Sequence, residues 1–515
     1  MSSNNNTRIC VPLNERTLSE LRSSAAKATT VADLIELRAD GLDSEQLDHP
    51  SQLRNLVDTI SRPVILTFRS SEEGGYRSLT KAQRKSFWQE HLRTNAALFD
   101  VELDLVKELT TLDGDDQPDW SCVICSNHDF AGLPPDLNEI YEQLAFTPAR
   151  VLKLAVKAND IVDCIELFKL LERAGREQRE LIAIAMGNAG IITRILGPSW
   201  GSFLTYGACE IDRGTAPGQL LASELKSVYR VDQIDRDTMI TGLVGSPVMH
   251  SVSPHMHNAA FQVLGLNGVY LPLEVGDLAG FFKRLVDPRT KELDWNLRGL
   301  SVTAPHKVEV MKYLDWVDPI AQQIGAVNTV VLNDERLLGY NTDADGLIEP
   351  LIRRIGSLTG ARAAVIGAGG AASAAIFALQ KHNVEIDLYV RNPDKADVLS
   401  RRFNISCRSL DERSLAGHDV VINATPLGSV GKEIDKTPVS ADQLRGCRLV
   451  YDLVYNPIET RFMKEGRQAG CEVLGGLEML VAQARMQFKL LTKNEVSYEL
   501  MYAAGHSALT QNLSS

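Results

Sequence analysis

RVLKLAVKAND, from Arg150 to Asp160, places Lys153 within an apolar run and Lys157 at its polar exit. An isolated ammonium is costly to desolvate, so a lysine between leucines needs a reason. In an extended strand both lysines project to one face, and alternation alone does not separate them. Position along the run does: Lys153 is expected to be buried and reactive, Lys157 solvated. So apolar a run also fits a strand covered on both faces, as in a parallel sheet flanked by helices.

Runs of this kind recur. ICVPL, ADLIEL, PVILTF, ALFDVEL, CVICS, VLKLAV, LIAIAM and FLTYGA begin near residues 9, 32, 63, 97, 122, 151, 181 and 203. Longer, more charged stretches of helical character lie between them. Eight short strands, each with room for a following helix, predict a (β/α)8 barrel over residues 1–230. The charged segment SVYRVDQIDRDT, Ser227 to Thr238, ends it, and from Met239 the strand-helix pattern resumes as an open α/β protein with lobes of its own.

A chain of 515 residues suits several domains. Its net charge of -12 argues against general affinity for nucleic acid or an anionic membrane, but leaves room for local basic pockets. MSSNNNTR has no apolar stretch of a signal peptide, and no run approaches a membrane span. The eight cysteines are scattered; Cys122 and Cys125, in SCVICS, read as buried strand thiols. A reducing cytoplasm fits.

A β/α barrel carries its functional groups at the C-terminal ends of its strands. ELRAD gives Glu36 and Arg38 on one face, and the third strand ends at Arg69, ahead of Glu73, Gly74 and Gly75. The fourth strand carries Glu102, the fifth runs out into SNHDF with His128, and the sixth carries Lys153. A loop after the seventh carries Arg194, and TAPGQ, Thr215 to Gln219, follows the eighth. Singly, each has a structural reading: Glu36 with Arg38 could be an ion pair, His128 a satisfied polar group. Together at one rim they suit a small anionic carbonyl compound.

The ordered set ELR, RSSEEGG, SNHDF, KLA, Met186-Gly187, Arg194 and TAPGQ resembles type I 3-dehydroquinate dehydratase over about residues 7 to 228. Thr215 stands where members often carry serine. The resemblance implies that Lys153 attacks the C3 ketone of 3-dehydroquinate to form a Schiff base, desolvation favouring the free amine. His128 would take the C2 proton and protonate the departing C1 hydroxyl, a task for a group titrating near neutrality, with Glu102 orienting it. Arg194 would clamp the carboxylate, with Thr215 and Gln219 on the carboxylate or hydroxyls, and Glu36, Arg38 and Arg69 along the remaining wall. The product would be 3-dehydroshikimate.

In the second half, AAVIGAGGAASAAIFAL ends an apolar strand at Gly367 and opens an alanine-rich helix past Gly369, Gly370 and Ala371. In that context a GxGxxA pattern points to a Rossmann lobe binding a dinucleotide, its pyrophosphate on the helix N-terminus. Asp387 lies mid-strand in VEIDLYVRNPDK, whereas Arg391 and Asn392 stand at the strand's end with Lys395 nearby, so a 2′-phosphate and NADP are favoured over NAD. HSVSPHMHN, His250 to Asn258, contains an HxH without a cysteine or carboxylate cluster; no metal is assigned, and Ser-Pro beside a helical run reads as an N-cap. Ser251 and Ser253, two apart, could hold a carboxylate.

GLSVTAPHK, GYNTDADG, IGAVNT, NATP, YNP and EMLVAQ, with the HSVSP stretch, resemble shikimate dehydrogenase over most of residues 238 to 505. Ser301 stands where many bacterial members have asparagine. The resemblance implies a substrate lobe over 238–345 completed by 486–515, and an NADP lobe over 346–485. Lys307 and Asp343 would form the catalytic pair at the reacting oxygen. Ser251, Ser253, Thr303, Asn328 and Gln483 would hold the substrate, Tyr455 would close the site, and Thr425 and Gly428 would approach the cofactor. The first half's implied product is the second half's substrate, 3-dehydroshikimate, which NADPH would reduce to shikimate. Quinate as the preferred substrate of the second half is the alternative.

Overall fold

The computed structural model describes residues 7–112, 117–210, 214–392, 396–410 and 415–511. Lys395 and the first six residues, parts of two expectations above, lie outside the described residues.

The eight apolar runs form eight strands: β1 (Ile9–Leu13), β2 (Leu34–Arg38), β3 (Val64–Thr67), β4 (Leu98–Glu102), β5 (Val123–Asp129), β6 (Val151–Lys157), β7 (Glu180–Met186) and β8 (Thr205–Tyr206). They lie in the order β7-β6-β5-β4-β3-β2-β1-β8. A parallel bridge between Leu181 and Ser202 brings the segment before β8 back to β7, so the sheet curls nearly closed. Alternation then sorts the side chains. Cys10, Leu34, Ile65, Leu98, Ile124, Val151 and Ile182 pack together as an apolar floor. Two residues further along, on the same face, stand Glu36, Thr67, Asp100, Ser126 and Lys153, from five adjacent strands. The lining turns polar on all five at the same step.

Helices cover the outside. The helix Lys81–His91 starts at a capping box of Thr80 and Gln83 and buries Trp88 completely. Trp88 stands edge-on to Phe87 and to Phe99 of β4, at 5.1 and 6.0 Å between ring centroids.

The second half holds two sheets. One contains β9 (Met239–Gly245), β10 (Gly268–Glu274), β11 (Leu297–Val302), β12 (Trp316–Val317), β13 (Thr329–Asn333) and β14 (Arg336–Tyr340), in the order β10-β9-β11-β13-β14-β12. It is mixed, because β13 runs antiparallel to β11 and β14. The other contains β15 (Arg362–Ile366), β16 (Glu385–Val390), β17 (Ser406–Ser409), β18 (Val420–Asn423), β19 (Leu449–Asp452) and β20 (Glu472–Leu474). All its pairs are parallel, and the order β17-β16-β15-β18-β19-β20 is that of a Rossmann sheet, with the chain reversing direction between β15 and β18.

Contacts divide the chain into two compact units, one holding Met1–Met239 and the other Leu297–Ser515, with the intervening segments shared between them. The expected lobe limits at 345/346 and 485/486 fall inside the continuous helices Asp343–Ile355 and Gly476–Thr492. Their apolar faces carry on past those positions, and each helix stops only at a positive-φ residue, Gly356 or Lys493. Cys125 is buried in β5 as expected, but Cys122 is half-buried in the turn Trp120–Cys122. Among the described residues no helix is long and apolar enough to cross a membrane.

Trp88→Ala should lower the barrel's unfolding free energy by about 3–5 kcal/mol. The check is the shift in midpoint of its urea transition.

Candidate active sites

The polar level of the barrel opens into a cavity of about 440 Å³. Lys153 stands at its centre, only 4% exposed. Its Nζ donates to Asp100 Oδ2 at 2.7 Å and to the Tyr206 hydroxyl at 3.0 Å. The other Asp100 oxygen meets Arg69 Nη2 at 2.6 Å and accepts from Ser126 Oγ at 2.6 Å. Desolvation works against an ionised Asp100, yet Arg69 and Lys153 hold its carboxyl well below the usual range. Lys157, at the end of β6, is exposed. The opening stretch is thereby resolved: one lysine is buried against a carboxylate and the other is in water.

His128 lies on β5 two residues beyond Ser126, the strand partner of Lys153, so both side chains face the cavity. Its Nδ1 lies 3.1 Å from Glu73 Oε2, and the same oxygen accepts from the His128 backbone N–H. Glu102, expected to orient His128, does not contact it. That carboxylate is drawn to Arg84 at 3.2 Å and accepts from the Ser70 N–H at 3.1 Å. Glu73 reaches the imidazole because the turn Ser71–Glu73 folds back over the mouth and ends at Gly74, whose φ of +81° suits glycine and whose missing Cβ leaves room for the Phe130 ring.

Burial, Arg69 and Lys153 together depress the His128 imidazole well below its ordinary value, so it stands neutral rather than half-titrated at neutrality. Burial pushes the Glu73 carboxyl up to about 8, against the pull of Arg69. Both shifts disfavour charge, so burial pushes the imidazole and the carboxyl alike toward their uncharged forms.

The remaining expected residues also line the cavity. Glu36 accepts from Thr67 Oγ1 at 2.7 Å, and Arg38 is paired with Asp40 rather than with Glu36. Arg194 belongs to the helix Ile191–Leu196, not to a loop; burial pulls it down to about 10, and the structure gives its Nε no partner. A desolvated guanidinium lacking a carboxylate is suited to an incoming anion. Thr215 and Gln219 bond each other within one loop at the mouth.

In the second unit a cavity of about 990 Å³ collects Ser251, Ser253, Thr303, Lys307, Asn328, Asp343, Tyr455 and Gln483. Lys307 Nζ donates to Asp343 Oδ2 at 2.6 Å, and Asn328 Nδ2 to Asp343 Oδ1 at 2.8 Å. The Ser251 and Ser253 hydroxyls are 3.1 Å apart. Ser253 opens the helix Ser253–Val263 whose N-cap is Val252, so the Ser-Pro N-cap reading does not hold; Ser251 Oγ accepts from the Ser253 N–H at 3.2 Å, and both serines line the cavity. His257 of the HxH is buried in stacking contact with Tyr270, 4.1 Å between centroids.

A larger cleft of about 2010 Å³ opens at the Rossmann switch point, lined by Gly367, Gly369, Arg391, Asn392 and Thr425. Gly367 has φ +115°, and a Cβ there would crowd Ala424 and Thr425, where β15 and β18 part. Around Gly369 and Gly370 a Cβ would meet nothing, and the helix Gly370–Lys381 has no side-chain cap, so its first N–H groups face open space. Ala371 instead lines the 990 Å³ cavity. Gly428 lies behind the cleft, its N–H bonded to Glu433. Asp387 is buried mid-strand and held by His418, Arg362 and Arg408.

Comparison with known proteins gives three family matches: the type I 3-dehydroquinase over residues 9–236, the shikimate dehydrogenase substrate binding domain over 243–330, and the shikimate 5′-dehydrogenase C-terminal domain over 476–504. The bifunctional 3-dehydroquinate dehydratase/shikimate dehydrogenase of Arabidopsis thaliana, a chloroplastic protein, is 31% identical over 97% of this chain and 84% of its own length. The chain belongs to the bifunctional 3-dehydroquinate dehydratase/shikimate dehydrogenase family. It joins a lyase to an oxidoreductase. Its dehydrogenase half is 41% identical to the NADP(+) shikimate dehydrogenase of Methanocaldococcus jannaschii, over 52% of this chain and 96% of that one. A crystal structure of a shikimate dehydrogenase with NADP+ matches at a TM-score of 0.50 and 39% identity, over 54% of this chain and 97% of the other.

Several residues of the two halves escape a reading of the sequence. In the dehydratase half Asp100 and Glu73 had signals: Asp100 alternates with Glu102 in ALFDVEL, and Glu73 stands in RSSEEGG beside Arg69. In the dehydrogenase half Gln487, which accepts from Ser301 at 2.8 Å, had none beyond helical spacing from Gln483.

With His128 as the base that the family resemblance implies, protonating it would stop dehydration, and its surroundings oppose that protonation. Dehydratase kcat/KM should therefore stay level as pH falls past about 6.5 and fall only in stronger acid. A pH–rate profile with its acid limb centred near that value would contradict the burial of His128.

Proposed function

We propose that the barrel dehydrates 3-dehydroquinate through a Schiff base on Lys153 and that the second half reduces the resulting 3-dehydroshikimate with NADPH. The observation that carries the first step is the Lys153 amine, buried against Asp100 in the same cavity as the neutral His128. Arg194 binds the substrate carboxylate, with Thr215 and Gln219 beside it. Lys153 loses a proton, adds to the C3 carbonyl and expels water to give an iminium. The iminium acidifies the C2 proton, which His128 removes, steadied by Glu73. The same imidazole returns that proton to the departing C1 hydroxyl, and hydrolysis of the iminium frees Lys153. Glu36, Arg38 and Arg69 hold the ring hydroxyls and the charge balance of the wall. Glu102 supports the Ser70 backbone and takes no proton.

In the second half Ser251, Ser253, Thr303, Asn328 and Gln483 hold the carboxylate and ring hydroxyls, and Tyr455 covers them. Lys307 gives a proton to the C3 oxygen as the ketone is reduced, while Asp343 fixes the amine and is itself fixed by Asn328. NADPH, when bound in the glycine-lined cleft, supplies the hydride. Arg391 and Asn392 sit where the 2′-phosphate is read; Lys395 is assigned there on sequence alone. The curated relatives of this half are named for shikimate, and the quinate alternative is not carried further. The working extents are 1–230 for the dehydratase, 238–345 with 486–515 for the substrate lobe, and 346–485 for the cofactor lobe. Buried thiols at Cys10, Cys125, Cys164, Cys447 and Cys471 suit a reducing compartment, for which we take the cytoplasm.

The intact chain should consume NADPH when given 3-dehydroquinate. Lys153→Ala should lower dehydration roughly a thousandfold or more while still reducing added 3-dehydroshikimate, and Lys307→Ala should do the reverse. Borohydride with 3-dehydroquinate should leave a mass adduct on the native chain and none on Lys153→Ala. Undiminished dehydration by Lys153→Ala would sink the Schiff-base assignment.

A further inference from the structure

Asp452, at the end of β19, is fully buried and is neither a substrate contact nor a lining residue of the cofactor cleft. Its Oδ1 accepts from Asn423 Nδ2 at 2.9 Å and from the Val454 N–H at 3.1 Å, and its Oδ2 accepts from the Thr460 hydroxyl at 2.5 Å. Asn423, equally buried at the end of β18, turns its Oδ1 to the Thr425 N–H and hydroxyl, at 3.1 and 2.6 Å, and its Nδ2 also to the Leu427 carbonyl at 3.2 Å. Thr425 and Leu427 line the cofactor cleft, whereas Leu453 and Tyr455 line the substrate cavity. A second tie runs beside the first: the Val430 N–H donates to the Asn456 carbonyl.

We propose that Asp452 is a positioning residue that couples the two ligands of the dehydrogenase half, holding Thr425 on the cofactor side and Tyr455 on the substrate side in one rigid network. This rests on the NADPH and shikimate reading given above. A buried carboxylate costs several kcal/mol unless its oxygens are satisfied, and here every donor but Thr460 comes from a segment that borders one of the two ligand sites. A shift of Thr425 as the cofactor seats therefore moves Asn423, then Asp452, then the backbone that carries Tyr455. Coupling of this kind is reciprocal, so each ligand tightens the other by the same factor. Thr460, whose hydroxyl also caps the helix Arg461–Gln468, anchors the carboxylate from behind.

The test uses the full chain and a pair of ligands that cannot react together, NADPH and shikimate, both being reduced. NADPH is titrated by its fluorescence with and without saturating shikimate, and the ratio of the two affinities is the readout. The native chain should give a ratio of roughly fivefold or more. Asp452→Asn and Asn423→Ser should bring it to within about twofold of unity. Val450→Ala hollows the same strand without touching the carboxylate and should keep the native ratio. Three results overturn the inference: a native ratio of one, network variants that retain the native ratio, or Val450→Ala losing it equally. Loss of NADPH binding by both network variants while Val450→Ala still binds would also overturn it, by making the network part of the cofactor site itself. A native chain that oxidises shikimate with NADP+ but gives a ratio of one would leave the functional reading intact; a chain with no such activity would end both.

Discussion

The Asp100 carboxylate, clamped between Lys153 and Arg69, is the interaction on which the dehydratase site depends. Three charged groups lie together in a barrel interior, each of which would cost several kcal/mol to desolvate alone. With Lys153 on one oxygen and Arg69 with Ser126 on the other, no member is left unpaired. The cluster fixes the amine over the apolar floor and keeps Arg69 where its charge falls on His128 and Glu73. Removing Asp100 would leave two cations unbalanced, and the consequences would reach the imidazole before any substrate arrived. One carboxylate anchors the amine; the imidazole stands neutral through burial and the charges of Arg69 and Lys153, against the opposing pull of Asp100.

The barrel was legible because buried parallel strands are near-continuous apolar runs, and because alternation leaves so few ways to place a charge among them. Lys153 stood out for that reason, and Arg69 and His128 followed from strand ends; Arg194, expected in a loop after the seventh strand, stands in the helix Ile191–Leu196. What could not be read was the partner of His128. Glu73 and Glu102 are both carboxylates near strand ends, and the choice depends on a turn folding back at Gly74 and on Arg84 arriving from a helix to claim Glu102. Neither fact is local to β4 or β5. The lobe limits implied by the family resemblance were not local features either: the helices Asp343–Ile355 and Gly476–Thr492 run across them. Ser253 was misassigned as a cap because an Ser-Pro pair at a helix start reads equally as cap or as first turn.

Both halves set a lysine against an aspartate at hydrogen-bond distance, yet the two pairs sit in different surroundings. In the barrel Lys153 is sealed from water by Tyr206 and the apolar floor, and Asp100 divides its two oxygens between Lys153 and Arg69. That arrangement leaves the amine fixed in a dry setting, lining the same cavity as His128. In the second cavity Lys307 keeps about a quarter of its side-chain surface exposed, and Asp343 is held by the neutral amide of Asn328, with no second cation to share it. There the carboxylate meets one lysine and one amide, and both Lys307 and Asp343 line the cavity. The residue types are the same; the company kept by the aspartate differs, a second cation in one cavity and a neutral amide in the other.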